Sequence, residues 1–262
     1  IIGETLMGYA SRENIVLSTK VGLRMGAGVN QIGLGRKHLM ESIDKQLKRL
    51  KTDYIDLYQI HRLDNITPLE EVLDTLTEIR KAGKILYIGC STMPAYKFAQ
   101  LLTLAECKGY ARPIAMQNLY NLIQRDEERE MIPLCVDAGV GLIPYSPLAR
   151  GVLAGNRVGG GVGETERAKY DKGLKTGASL FRDSDKEVVA TVISIAKKYD
   201  IKPTQVALSW ILKNPAVVSP IIGATKLSHI SDAISAVDIE LSMDDMKDLE
   251  RPYQSRESPL NI

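Results

Sequence analysis

The chain has 262 residues and a formal net charge of +2 at pH 7, a balance that indicates neither nucleic acid nor an anionic membrane as a partner. Hydrophobic residues make up 44% of the sequence and charged residues 25%, as in an ordinary globular protein. No apolar run approaches the ~18 residues that a membrane span needs. The three cysteines lack a C-x-x-C spacing, which argues against a disulfide framework or a metal site and favours reduced thiols in a cytoplasmic protein.

Predicted strands and helices alternate along the chain. Runs rich in β-branched and aromatic residues predict strands at 15–20, 54–61, 85–89, 114–117, 140–144 and 217–223. Apolar residues at helical spacing predict helices at about 36–50, 67–83, 94–108 and 126–138, the second opened by a capping box from Thr67 to Glu70. Four more helices are expected to begin near Ser184, Lys202, Ser228 and Ser242. The longest irregular stretch runs from 151 to about 182.

This alternation predicts right-handed βαβ units and an α/β fold with a parallel sheet buried on both faces. No G-x-G-x-x-G follows any predicted strand, which weakens a doubly wound dinucleotide-binding fold. A (β/α)8 TIM barrel fits the spacing better, but it needs eight strands. We therefore expect one barrel domain over residues 1–262 whose first two βα units are missing at the N-terminus.

Two predicted strands end in a titratable side chain, the first at Lys20 and the second at His61. Because parallel strands end at the same edge of a sheet, both groups are expected to point into one pocket. Considered alone, a lysine at a strand end is more often simply exposed, and a histidine there is more often a core residue satisfied by the backbone. The pair is thus a site hypothesis.

Six short motifs follow one another along the chain: Lys20-Val21-Gly22, Tyr54–His61, Gly89-Cys90-Ser91, Met116-Gln117-Asn118, Tyr145–Leu148 and Pro220–Lys226. In order and spacing they resemble the motifs of the aldo-keto reductases, in particular NADP-dependent members from fungi and bacteria. The resemblance covers essentially the whole chain. It implies a (β/α)8 barrel and a nicotinamide cofactor bound at its C-terminal face. It also implies a catalytic aspartate, tyrosine, lysine and histidine, of which Lys20 and His61 match the last two; the other two lie upstream of the position that matches Ile1.

The resemblance also implies contacts with the nicotinamide end of the cofactor. Ser91 and Gln117 match residues that hold the carboxamide, a group that needs both a donor and an acceptor. Thr92 stands where the family often has asparagine. Tyr145 matches the residue that stacks on the nicotinamide ring.

Further contacts are implied along the rest of the cofactor. The segment expected near the pyrophosphate contains Ser146, Leu148 and Arg150. The segment expected at the adenosine 2′-phosphate contains Gly223, Thr225, Lys226, His229 and Asp232. Lys226 offers a cation to a dianion and favours NADPH. Relatives often carry arginine at the position of His229, so NADH stays possible.

The function that the resemblance implies is NADPH-dependent reduction of an aldehyde or ketone to an alcohol by hydride transfer. In it, Lys20 would lower the pKa of a neighbouring tyrosine, and His61 would polarise the carbonyl of a small-molecule substrate. Two alternatives stay open. One is a catalytically impaired, cofactor-binding regulatory subunit that lacks the tyrosine. The other is a Schiff-base aldolase that uses Lys20.

Overall fold

The structure is a computed structural model that describes residues 1–155 and 182–255, apart from the side chain of Met7. Most of the irregular stretch expected from 151 to 182 therefore lies outside the described residues. The chain divides into two compact units, Ile1–Gln117 with Leu134–Val140, and Asn118–Pro133 with Gly141–Ile262. The expectation of a single domain over residues 1–262 stays a prediction.

Strands and helices alternate as the sequence predicts. The strands are β1 (Ser18–Val21), β2 (Ile55–Ile60), β3 (Ile85–Ser91), β4 (Pro113–Gln117) and β5 (Gly141–Leu142). The first five helices are α1 (Ile2–Thr5), α2 (Arg36–Leu50), α3 (Leu69–Lys81), α4 (Ala95–Lys108) and α5 (Met131–Asp137). After the gap in the described residues come α6 (Asp185–Lys198), α7 (Pro203–Leu212), α8 (Leu227–Ser235) and α9 (Met243–Glu250).

The first unit is built on four parallel strands. β1 pairs with β2, β2 with β3 and β3 with β4, each in parallel register. This confirms the predicted parallel α/β arrangement. Between the strands, α2 buries Leu39 and Ile43 completely, and α3 and α4 bury their own apolar faces. Lys20 pairs with Gln59, Gln59 with Gly89, and Ser91 with Gln117, so these residues lie on one face of the sheet.

Two local predictions in the first unit were wrong. The first strand begins at Ser18 rather than at residue 15, because the Leu17 N–H donates to the Asp56 carboxylate (2.8 Å) instead of to a strand. No capping box forms at Thr67: its N–H and hydroxyl both donate to Asp64, at 2.6 and 3.0 Å. Helix α3 therefore begins at Leu69, with Pro68 before it.

The second unit contains short parallel pairings instead of the longer strands that the sequence predicts. Among the described residues, the predicted strand at 217–223 contributes only two isolated parallel bridges, Leu142 with Val217 and Tyr145 with Ile221. The cause lies in two prolines, Pro144 and Pro220, which have no N–H to give to a ladder. Helices α6 and α7 supply the core of this unit, with Val192, Val206 and Trp210 buried. None of the helices in the described ranges combines the length and the apolarity that a membrane crossing requires.

Candidate functional site

The structure brings Lys20 and His61 together at the C-terminal edge of the first unit. Lys20 lies on β1, and His61 directly follows β2, where its N–H donates to Val21 O (2.8 Å). Burial lowers the pKa of the His61 imidazole, and the positive charges of Lys20 and Arg62 lower it further. Burial also lowers the pKa of the Lys20 ammonium. A half-buried imidazole is thus kept neutral beside a cation, an arrangement suited to hydrogen bonding with a polarised oxygen.

Ser91 and Gln117 end neighbouring strands at the same edge. The Ser91 hydroxyl donates to Gln117 O (2.8 Å), and both residues are buried. The next residue, Thr92, donates its N–H to the same carbonyl (3.2 Å) and has a φ of 38°. A β-branched side chain rarely adopts a positive φ, and such strain is concentrated at functional sites. The predicted nicotinamide contacts of the first unit therefore lie together, although their contact with a cofactor stays a prediction.

Gln59 is a polar residue of this region that the sequence analysis did not single out. It lies next to the C-terminal residue of β2 with 1% of its surface exposed. Its Nε2 donates to Ser18 Oγ (2.8 Å), and its Oε1 accepts from Gln117 Nε2 (3.4 Å). A glutamine within a predicted buried strand was the signal available in the sequence, since a buried polar group must find partners. The identity of those partners depends on the strand register.

In the second unit, Tyr145 and Ser146 are held by the backbone and side chains of the segment that follows residue 117. Tyr145 N donates to Asn118 O (2.9 Å), and Asn121 Nδ2 donates to Ser146 O (3.0 Å). The Asn118 side chain lies beside the Glu127 carboxyl. Burial raises the pKa of Glu127 to about 7; the Asn118 side chain opposes this rise and the nearby Asp126 charge adds to it.

The segment predicted near the pyrophosphate is a strained loop. Ser146, Ala149 and Arg150 have φ values of 54°, 46° and 56°, which favour glycine, and each such residue costs about 1 kcal/mol. The Ala149 N–H donates to Ser146 O (2.9 Å), and the Gly151 N–H donates to Leu148 O (2.8 Å). These two amides are therefore engaged within the loop, so the anion contact predicted for this segment depends on its other groups.

The predicted adenosine-end residues gather at the start of α8 and are exposed. Thr225 N donates to His229 Nδ1 (3.4 Å), and Lys226 immediately precedes the helix. Asp232 differs from them, because its carboxylate accepts two hydrogen bonds from Lys202 Nζ at 2.7 and 2.8 Å. Thr225, Lys226 and His229 thus form one polar, basic group at a helix N-terminus, an environment that suits an anion. Asp232 instead forms an ion pair with a neighbouring helix.

Each unit has its own set of polar groups. In the first unit, the buried hydroxyl and amide groups of Ser91 and Gln117 can match a carboxamide. In the second unit, the basic group at α8 can match a phosphate. Over residues 1–155 and 182–255, no group of three or more histidine, cysteine, aspartate or glutamate side chains is placed to hold a metal ion.

Comparison with known proteins gives consistent matches. A family profile described as the aldo/keto reductase family matches residues 1–253. A Schizosaccharomyces pombe protein, provisionally named an aryl-alcohol dehydrogenase, is 45% identical over 224 residues, which are 86% of this chain and 62% of that protein. The versiconal hemiacetal acetate reductase of Aspergillus parasiticus is 41% identical over 232 residues, covering 87% of this chain and 65% of the reductase. The chain thus spans a little under two thirds of the length of these two relatives.

Proposed function

Because the chain belongs to the aldo/keto reductase family, we propose that it is an oxidoreductase that transfers hydride between a nicotinamide cofactor and a small carbonyl or alcohol substrate. The observation that carries the proposal is the convergence of Lys20 and His61 at the strand edge where Ser91 and Gln117 also end. The names of the two relatives, a dehydrogenase of aryl alcohols and a reductase, agree with this reaction class.

His61 and Lys20 have distinct roles in the proposed reaction. When bound, the cofactor supplies the hydride. The neutral imidazole of His61 donates a hydrogen bond to the substrate carbonyl oxygen, where negative charge accumulates. The positive charge of Lys20 stabilises that oxygen. It also lowers the pKa of a neighbouring tyrosine, the acid that the family resemblance implies, and this favours transfer of the tyrosine proton to the oxygen. Burial of both groups strengthens these interactions, because a low local dielectric screens charge less.

We further propose that the cofactor is NADPH rather than NADH. Lys226 places a cation at the start of α8, beside Thr225 and His229, where a 2′-phosphate would find both charge and hydrogen-bond donors. Ser91, Thr92, Gln117 and Tyr145 would hold the nicotinamide end. Aryl aldehydes are the first substrates to test, given the name of the Schizosaccharomyces pombe relative.

The test combines binding and turnover. NADPH and NADH are titrated against the protein, and carbonyl-dependent loss of NADPH absorbance is then followed with a panel of aldehydes. Lys226→Met is expected to weaken NADPH binding by about tenfold and to leave NADH binding unchanged, because one charge-assisted hydrogen bond is lost. Lys197→Met, at an exposed position on α6, is the control. Tighter binding of NADH than of NADPH would contradict the assignment to Lys226.

Turnover separates the reductase from the two other functions that the sequence leaves open. Cofactor binding without carbonyl-dependent oxidation of NADPH would favour the catalytically impaired, cofactor-binding regulatory subunit. Borohydride trapping of a carbonyl compound on Lys20 would instead indicate Schiff-base chemistry.

A further inference from the structure

Gln59 lies on β2 of the first unit, between the neighbouring strands β1 and β3 and close to the candidate site. Its Cα lies in register with Lys20 on one side and with Gly89 on the other. Gly89 lies in turn opposite Ala115 on β4. The side chain of Gln59 therefore lies on the same sheet face as Ser91 and Gln117.

Gly89 leaves the space through which Gln59 reaches β4. A Cβ atom added at Gly89 would lie 3.0 Å from Gln59 Cγ, 3.1 Å from Leu57 Cδ1 and 3.3 Å from Ala115 O. These separations are shorter than ordinary van der Waals contacts, so a side chain at Gly89 would require its neighbours, Gln59 among them, to shift by a few tenths of an ångström. Gly89 on β3, which has no side chain, thus leaves room for the long polar side chain of Gln59 on β2.

The two ends of the Gln59 amide are both engaged. Nε2 donates to Ser18 Oγ (2.8 Å), and Oε1 accepts from Gln117 Nε2 (3.4 Å). An amide nitrogen can only donate and an amide oxygen can only accept, whereas the Ser18 hydroxyl can do either. In the arrangement seen here the hydroxyl accepts, and the nitrogen of the Gln117 amide is the end that faces Gln59. The Gln117 amide is planar. Because its Nε2 points at Gln59, its Oε1 points away from Gln59.

We propose that Gln59 is a positioning residue that orients the Gln117 amide, so that Gln117 Oε1 accepts a hydrogen bond from the carboxamide NH2 of the nicotinamide cofactor. Ser91 has the matching polarity, because its hydroxyl proton is donated to Gln117 O and its oxygen is left as an acceptor. The pair selects for an NH2 group on the ligand. This inference rests on the proposed function, since it concerns how the same site recognises its cofactor.

The test compares two cofactors that differ only in that group. NADP+ carries the carboxamide, and its 3-acetylpyridine analogue carries a methyl ketone that keeps the carbonyl oxygen and lacks the NH2. Dissociation constants of both are measured by calorimetry with the full chain. The unmodified protein is expected to bind NADP+ about five- to tenfold more tightly than the analogue, the effect of one hydrogen bond in a buried site.

Gln59→Leu is expected to remove most of this preference by weakening NADP+ alone, while the analogue binds as before. Gly89→Ala should reduce the preference in the same way without removing any polar group, which covers the case in which Gln59→Leu does not fold. Gln59→Glu keeps an acceptor for Gln117 Nε2 and should keep the preference. The control is Thr77→Val, which removes hydrogen bonds from a buried residue of the same unit and should change stability but not the preference.

The outcomes separate this inference from the proposed function. If the unmodified protein binds neither dinucleotide, the proposed function fails and the inference fails with it. If it binds both equally, or if Gln59→Leu and Gly89→Ala keep the preference or weaken both dinucleotides alike, the inference fails and the proposed function stands. Loss of the preference in both variants, with its retention in Gln59→Glu and Thr77→Val, supports the inference.

Discussion

Replacement of Glu127 by glutamine should make the protein more stable at alkaline pH and leave it unchanged at acidic pH. Burial raises the pKa of this carboxyl from 4.5 to about 7 in the folded protein. Between these values the folded state holds a proton that the unfolded state has lost. The free energy of unfolding therefore falls as the pH rises through this range.

The magnitude follows from the difference in pKa. One pKa unit corresponds to about 1.4 kcal/mol, so a shift of this size destabilises the wild-type protein by about 3 kcal/mol above pH 7. Glutamine has the same shape, has no charge to bury, and keeps a carbonyl oxygen for the Asn118 side chain. Glu127→Gln should then gain nearly that amount at pH 8 and less than about 1 kcal/mol at pH 5.

Urea denaturation of both proteins at pH 5, 6, 7 and 8 measures the effect. Glu130→Gln, at an exposed position three residues along the chain, is the matched control and should show no pH-dependent gain. Parallel stability curves for Glu127→Gln and the wild type would show that the carboxyl is solvated, and would refute the reasoning.

Three further predictions concern the candidate site and its surroundings. Asp64→Asn should lower the free energy of unfolding by about 2 kcal/mol at pH 7, because the carboxylate accepts four hydrogen bonds from residues 34, 66 and 67. These bonds lower the pKa of Asp64 despite its burial. The wild type therefore loses its stability advantage over Asp64→Asn as the pH falls through that lowered pKa. An equal difference in the free energy of unfolding between the two proteins at pH 7 and pH 3, measured by urea denaturation, would contradict this prediction. Lys20→Met should raise the pKa of His61, measured by NMR titration of the imidazole, because one of the charges that lowers it is removed; an unchanged titration would mean that the two side chains are not close. Thr92→Asn should raise stability by about 1 kcal/mol, since asparagine tolerates a positive φ better than a β-branched residue, and thermal melts that show a loss would contradict the backbone geometry.

Regular elements were predictable wherever a local pattern decides the structure. Helix α2 spans the predicted residues 36–50 because its apolar face, with Leu39 and Ile43, repeats at helical spacing. Local patterns failed where a distant side chain competes for the backbone. Asp56 shortens β1, and Asp64 takes the hydrogen bonds that Thr67 was expected to use in capping α3. Neither partner can be identified from spacing alone.

The candidate site shows the same division. Lys20 and His61 could be placed together because each ends a strand, and parallel strands share one edge. Gln59 could not, because its partners depend on the register of four strands and on a glycine lying opposite it. The ion pair of Asp232 with Lys202 likewise joins two helices whose packing the sequence does not reveal.

The most direct test of the central claim is the transfer of deuterium from NADPH labelled at C4 of the nicotinamide to benzaldehyde. The protein is incubated with each stereoisomer of the labelled cofactor, and the benzyl alcohol formed is analysed by NMR. We expect one deuterium on the carbinol carbon from one stereoisomer only, and loss of this product in Lys20→Met and His61→Ala. Binding of NADPH with no labelled alcohol from either stereoisomer, across the aldehyde panel, would contradict the claim that this chain transfers hydride.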